Sequence, residues 1–181
     1  MSIRHKIKNS ILELKTGDIT EEGTEAIVNA ANRALSPGGG VSGAIHRAAG
    51  PGLWEECRTL GGCKTCEAKL SGGCNLKAKY VIHTVGPVYS GSKSDPVNLK
   101  SSYYNCLLVA SSNKIKSISF PSISTGVFGY PVRGASPVAL KTIIEFLNEH
   151  QEIESVKMVL FSERDYKTYK NSLDSILKDS K

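Results

Sequence analysis

No apolar run in the chain approaches the ~20 residues that a membrane-spanning helix needs, so no span of that kind is expected. The first residues, Met1-Ser-Ile-Arg-His-Lys6, are charged and lack the apolar centre of a secretory signal. A cytoplasmic location is the resulting expectation. The cysteines number five, an odd count that argues against a secreted disulfide framework. No Gly-Lys-Ser/Thr follows the glycine-rich stretch at 38–40, which excludes a P-loop, and the glycine spacing is not a dinucleotide fingerprint. Internal repeats and low-complexity linkers are missing too. No basic run carries the interleaved aromatics of a single-strand nucleic-acid binder.

What is present suits one domain over residues 1–181, long enough to bury a core without metals or disulfides. Apolar residues at 40% and charged residues at 22% are ordinary for a globular protein. The formal charge of +6 favours anionic ligands. Its lysines are spread from Lys6 to Lys181 as on a solvated surface, so nucleic acid is not expected as a partner.

Strand and helix signals alternate. Ile3 to Lys8 and Ser10 to Lys15 alternate apolar and polar residues, predicting two strands turned at Asn9. Thr20 is a candidate N-cap for a short turn. Ala26 to Asn29 reads as a buried strand and Val41 to Ala49 as a helix ended by Gly50, with a further helix from Pro51 through Leu60. Strands are predicted over 67–71, 80–85, 117–120 and 156–161, and helices over 96–112, 131–150 and 163–177. A hairpin followed by this alternation implies a three-layer α/β/α sandwich around a mixed central sheet.

Two glycine-bearing loops follow strand ends, where such sheets bind ligands. The first runs from Asn29 through Asn32 and Gly38, Gly39 and Gly40 into Val41, Ser42 and His46. Three glycines let a ligand approach backbone N–H groups, and a helix N-terminus adds unpaired donors for an anion. The second, Ser122 to Pro131, offers the Ser124 and Thr125 hydroxyls, Gly126, Val127, Gly129 and the ring of Phe128. Each is also readable as a plain strand-to-helix connection, with Phe128 then a core residue.

Together these stretches resemble a macrodomain of the MacroD type, across about 12–177. The matching segments are Thr16-Gly-Asp-Ile-Thr20, Ile27-Val-Asn-Ala-Ala-Asn32, Gly38-Gly-Gly-Val41, Gly43-Ala-Ile-His-Arg-Ala-Ala-Gly50, Tyr80-Val-Ile-His-Thr-Val-Gly-Pro87 and Ser122-Ile-Ser-Thr-Gly-Val-Phe-Gly-Tyr-Pro131. The resemblance implies ADP-ribose as ligand, with ADP-ribosylated proteins or O-acetyl-ADP-ribose as partners and no cofactor. It gives Asp18 and the Ile19 backbone to the adenine, as acceptor and donor. Phe161 matches an aromatic position against the adenine face; finishing the core is its other reading. Asn32 matches the residue at the distal ribose. Gly38, Gly39, Gly40 and Val41 would enclose the diphosphate from one side, and Ser124, Thr125, Gly126, Val127 and Phe128 from the other. Asn29 should support its loop from within, and Asp18 alternatively caps the turn after it.

The candidate catalytic residues are Asn32, Ser42 and His46. In MacroD-type hydrolases an aspartate occupies the place of Ser42, four residues before the matching histidine. Positions 42 and 46 share a helix face, yet a serine is no effective general base near neutral pH. Ser42 also reads as a helix N-cap. Some macrodomains with a small apolar residue there are nevertheless hydrolases, the substrate's own phosphate being held to activate the water. The resemblance therefore implies hydrolysis of ADP-ribose esters, or else binding without turnover. Cys57, Cys63, Cys66 and Cys74 crowd one segment, and Cys63-Lys-Thr-Cys66 has the spacing of metal motifs. Only one such pair is present, so buried packing is the expected role and no metal ligand is assigned.

Overall fold

The computed structural model describes residues 1–181. The strands are β1 (Ser2–Ile7), β2 (Ser10–Thr16), β3 (Ala26–Ala30), β4 (Ala68–Gly72), β5 (Tyr80–Thr84), β6 (Ser117–Phe120) and β7 (Ser155–Leu160). They form one seven-stranded sheet in the order β1-β2-β7-β6-β3-β5-β4. The inner neighbours from β2 to β5 pair in parallel, while β1 and β4 run antiparallel at the edges. The helices are α1 (Gly40–Ala49), α2 (Gly52–Cys57), α3 (Ser94–Ser112), α4 (Val132–Glu149) and α5 (Glu163–Asp179).

Strand alternation decides which face each helix covers. Leu12, Leu14, Ile118, Phe120, Val156 and Met158 point to one face, where α3, α4 and α5 pack in series. That core holds 29 buried residues, against 13 in the core under α1 and α2, so the two helical layers are unequal. The thinner layer covers β3 and β4. Beyond it, the same face of β2 and β7 is polar: Glu22, buried, takes hydrogen bonds from Lys15 Nζ at 2.6 Å and Lys157 Nζ at 3.2 Å. The sandwich has three layers, the thinner one centred over β3 and β4.

Most expected elements lie within two residues of their observed ends. The helix opened by Pro51 stops at Cys57, short of Leu60, because 58–60 turn away and Gly61 and Gly62 adopt φ of +75° and +76°. Thr20 is not an N-cap: Asp18 is, accepting from the Thr20 N–H at 2.9 Å and the Thr20 hydroxyl at 2.7 Å. Nor is Ser42 a cap, since Gly39 holds that place and Ser42 lies inside the first turn of α1.

Candidate functional site

The carboxyl ends of the parallel strands all open on one edge of the sheet. In sheet order they deliver Asp18 and Ile19 (β2), Phe161 (β7), the 122–130 loop (β6), the 31–40 loop (β3) and Val85 to Tyr89 (β5). From β3 the chain passes to α1 on one face; from neighbouring β6 it passes to α4 on the other. That divergence is a topological switch point, where α/β sheets form ligand crevices.

Two rows of backbone donors lie on the loops at this edge. The N–H groups of Gly38, Gly39, Gly40, Val41 and Ser42 donate to no protein acceptor, and neither do those of Ser124, Thr125, Gly126, Val127 and Phe128. The first row belongs to a loop and the opening of a helix, so it carries the macrodipole's positive end. The second is held rigid from behind. Tyr130 N–H donates to the Ser124 carbonyl at 2.9 Å, Gly129 N–H to that of Gly126 at 3.0 Å, and Tyr89 N–H to that of Phe128 at 2.9 Å. Thr125 spends its hydroxyl on the Ser122 carbonyl at 2.9 Å. Ser124 has a φ of +67°, a conformation costly for a non-glycine residue, and its buried hydroxyl has no protein partner.

At the β2 end, Asp18 Oδ1 is committed to the cap while its Oδ2 has no protein partner and the residue is exposed. Beside it the Ile19 side chain is buried and its N–H unbonded. Phe161, 89% exposed, does not finish the core, and Val127 is fully exposed. Phe128 is half-buried against the thinner core, so its ring reaches both the core and the loop.

Asn32 does more structural work than expected. Its Nδ2 donates to the Ser36 carbonyl at 2.9 Å, and its Oδ1 accepts from Ser36 N–H at 3.1 Å and Ser36 Oγ at 3.3 Å. The carboxamide thus clasps the loop that leads to the glycines, and the residue is only partly buried. Behind the loop, Ser42 and His46 are both buried on the inner face of α1, and neither the Ser42 hydroxyl nor either His46 nitrogen finds a protein partner. Burial holds the His46 imidazole below its ordinary pKa.

A macrodomain model, described as "Macro domain", matches residues 28–139, more than half of the chain. The chain belongs to the Macro domain family. It is 49% identical over 175 residues to the ADP-ribose glycohydrolase MACROD2 of Xenopus laevis, covering 93% of this chain and 42% of that relative's length. Among solved structures it is similar to an Oceanobacillus iheyensis macrodomain with ADP, with a TM-score of 0.96, 44% identity and coverage of 99% of this chain and 98% of that one. It is likewise similar to a Trypanosoma brucei macrodomain in complex with ADP-ribose, with a TM-score of 0.86, 44% identity and coverage of 90% and 68%.

Three features of this macrodomain escape sequence reading. Gly43 lies inside α1, where a Cβ would stand 2.4 Å from the Gly38 carbonyl oxygen; Gly86 faces Ser124 Oγ, which a Cβ would meet at 2.2 Å. Both glycines let a donor row approach its support, and a glycine inside a helical pattern is the signal that marks Gly43. The third is a buried polar chain. Asn29 does not support its loop: its Nδ2 lies 3.1 Å from His83 Nδ1 on β5. With that amide donating, His83 Nε2–H donates to Ser71 Oγ at 2.8 Å, and the Ser71 hydroxyl donates to the Gly72 carbonyl at 3.1 Å. Burial, with His46 nearby, pushes the His83 pKa down to about 4.

The cysteines do not converge. Cys63 Sγ approaches the Lys64 and Glu67 carbonyls, Cys66 Sγ the Asn98 carbonyl at 3.2 Å, and Cys57 Sγ sits 3.5 Å from His83 Nε2. No three His, Cys, Asp or Glu side chains form a group able to hold a metal ion. Burial raises the Cys57 thiol to about 11, which suits packing and not reactivity. No helix is long and apolar enough to cross a membrane.

Proposed function

We propose that this protein binds ADP-ribose along the carboxyl edge of its sheet and hydrolyses esters of that ligand at the distal ribose. The observation that carries the reading is the pair of donor rows, 38–42 and 124–128, on the two loops at the switch point, with no protein acceptors of their own. Opposed N–H rows at a helix N-terminus suit a diphosphate. Asp18 Oδ2 and the Ile19 N–H form an acceptor–donor pair for an adenine edge at one end, with Phe161 available to its face. Asn32 stands at the other end, among the residues proposed to meet the distal ribose. The likeness to an ADP-ribose glycohydrolase and to a macrodomain complexed with ADP-ribose supports the same assignment.

In the proposed reaction water adds at the anomeric carbon and the ester carboxylate departs, leaving ADP-ribose and a free acid. A carboxylate is a good leaving group, so positioning and electrostatics supply most of the acceleration. Asn32 holds the loop and the ribose together, and the two donor rows fix the diphosphate, one of whose oxygens accepts from the attacking water and orients it. Ser42 orients through its unpartnered hydroxyl, and neutral His46 accepts or passes a proton. The proposed substrates are glutamate- or aspartate-linked mono-ADP-ribosyl proteins and O-acetyl-ADP-ribose with its acetyl group on the anomeric oxygen, the ester that this step cleaves.

Incubation with protein mono-ADP-ribosylated on glutamate and with O-acetyl-ADP-ribose, following release of ADP-ribose and acid, tests this. Release from at least one is expected; none above background, with tight ADP-ribose binding intact, would make the protein a reader. That second reading is favoured by one observation, the serine at position 42, where the resemblance implies a carboxylate in the hydrolases.

A further inference from the structure

Resting on that function, we infer that the protein prefers ester substrates whose modified residue lies in an acidic peptide segment, docked in a groove beside Asn32. Two adjoining concavities, of about 620 and 560 Å³, share Gly61, Gly62, Cys63 and Lys64. One is walled by Arg33, the residue following Asn32; the other continues to Lys69 on β4 and Asn105 on α3. The groove is tied to the reaction end by direct contacts. Cys63 N–H donates to the Arg33 carbonyl at 2.8 Å, Arg33 Nη2 donates to Thr65 Oγ1 at 3.1 Å, and Thr65 bridges Val85, the residue after β5. The Arg33 wall of the groove is thus one residue from Asn32, where the distal ribose is proposed to sit.

Its chemistry is that of an anion receptor. Arg33, Lys64 and Lys69 form no ion pair. Lys69 Nζ donates only to the Leu60 carbonyl, at 2.7 Å. The one carboxylate, Glu67, spends Oε2 on the Lys64 N–H at 2.9 Å. Gly61 and Gly62, both at positive φ, present N–H groups with no protein acceptor. Positive charge therefore exceeds negative, and unpaired cations on a concave wall attract carboxylates by field and by hydrogen bond. No aromatic residue lines either concavity, so bases have nothing to stack on and an acidic peptide fits better than a nucleic acid.

The test uses two peptides mono-ADP-ribosylated on a single glutamate, flanked by Asp/Glu in one and by Asn/Gln in the other, with O-acetyl-ADP-ribose and free ADP-ribose as controls. Binding and KM should favour the acidic peptide by about fivefold, and Arg33→Gln/Lys64→Glu should erase the preference while leaving free ADP-ribose binding unchanged. Lys141→Glu, an exposed change on α4 in the opposite layer, should leave the preference intact and so separates the groove from the overall charge. Equal affinity for the two peptides, or the same effect from Lys141→Glu, overturns the inference alone. Displacement of the acidic peptide by a short oligonucleotide that leaves ADP-ribose bound overturns it in favour of nucleic acid. Failure of free ADP-ribose to bind overturns the proposed function and this inference with it.

Discussion

Asp18 serves two masters, and a single substitution separates them. Its Oδ1 caps the turn after β2 and its Oδ2 faces solvent. Asparagine caps as well as aspartate, so Asp18→Asn should leave Tm within a degree or two. It replaces an acceptor by a donor where an adenine amino group is proposed, and ADP-ribose affinity should drop by roughly tenfold. Reduced Tm with unchanged affinity in calorimetry would leave Asp18 only its cap. Asn32→Ala is less clean, because it also opens the clasp on Ser36; turnover should fall by about 100-fold and ADP-ribose binding by less than tenfold. Equal turnover would move the reaction end elsewhere. At Ser42 the expectation is a gain. A carboxylate in the first turn of α1 is favoured by the helix dipole, and one turn from His46 it raises that imidazole's pKa. Ser42→Asp should increase ester hydrolysis several-fold and shift the acid limb of the pH–rate profile upward; an unchanged rate and profile would assign the water to the substrate's phosphate.

Loops are only as well placed as the elements behind them. The donor rows depend on two contacts that admit no Cβ, Gly43 against the Gly38 carbonyl and Gly86 against Ser124. Gly43→Ala is helix-favouring by up to ~1 kcal/mol, yet it must push the 38–40 loop away from α1. Gly86→Ala must displace the Ser124 hydroxyl and Ile123. Each should weaken ADP-ribose binding by tenfold or more with the far-ultraviolet circular dichroism unchanged, and unaltered affinity would mean that the loops do not hold the diphosphate. The elements themselves were legible in the sequence, because β1 and β2 alternate apolar and polar residues, β7 is a short apolar run, and the loops carry Gly and Pro. Cap positions were less so: Thr20 and Ser42 are both good capping residues, but Asp18 and Gly39 stand where the backbone turns extended. The groove beside Asn32 was illegible for a stronger reason. Arg33, Lys64 and Lys69 are scattered along the chain, and only the turn at Gly61 and Gly62 assembles them.

For the whole molecule, the buried polar chain beneath α1 ties stability to pH. His83 is fully buried between Asn29 and Ser71, with its pKa lowered to about 4, and His46 on the helix above is shifted in the same direction. The unfolded chain, with ordinary imidazoles near ~6.5, therefore takes up protons before the folded one does. A depressed folded-state pKa means stability that is complete above pH ~6.5 and is lost as pH falls towards about 4. For His83 alone the difference corresponds to roughly 3 kcal/mol across that window, at 1.36 kcal/mol per unit. Denaturant midpoints measured from pH 7.5 to 4.5 should fall steadily, with the steepest loss below pH 6.5 and an unchanged slope against denaturant concentration. The imidazole resonance of His83 should remain that of a neutral ring down to pH about 5, its Asn29 and Ser71 partners holding one tautomer. A titration midpoint near ~6.5 for His83 would show that the chain Asn29–His83–Ser71 opens to water in the folded protein.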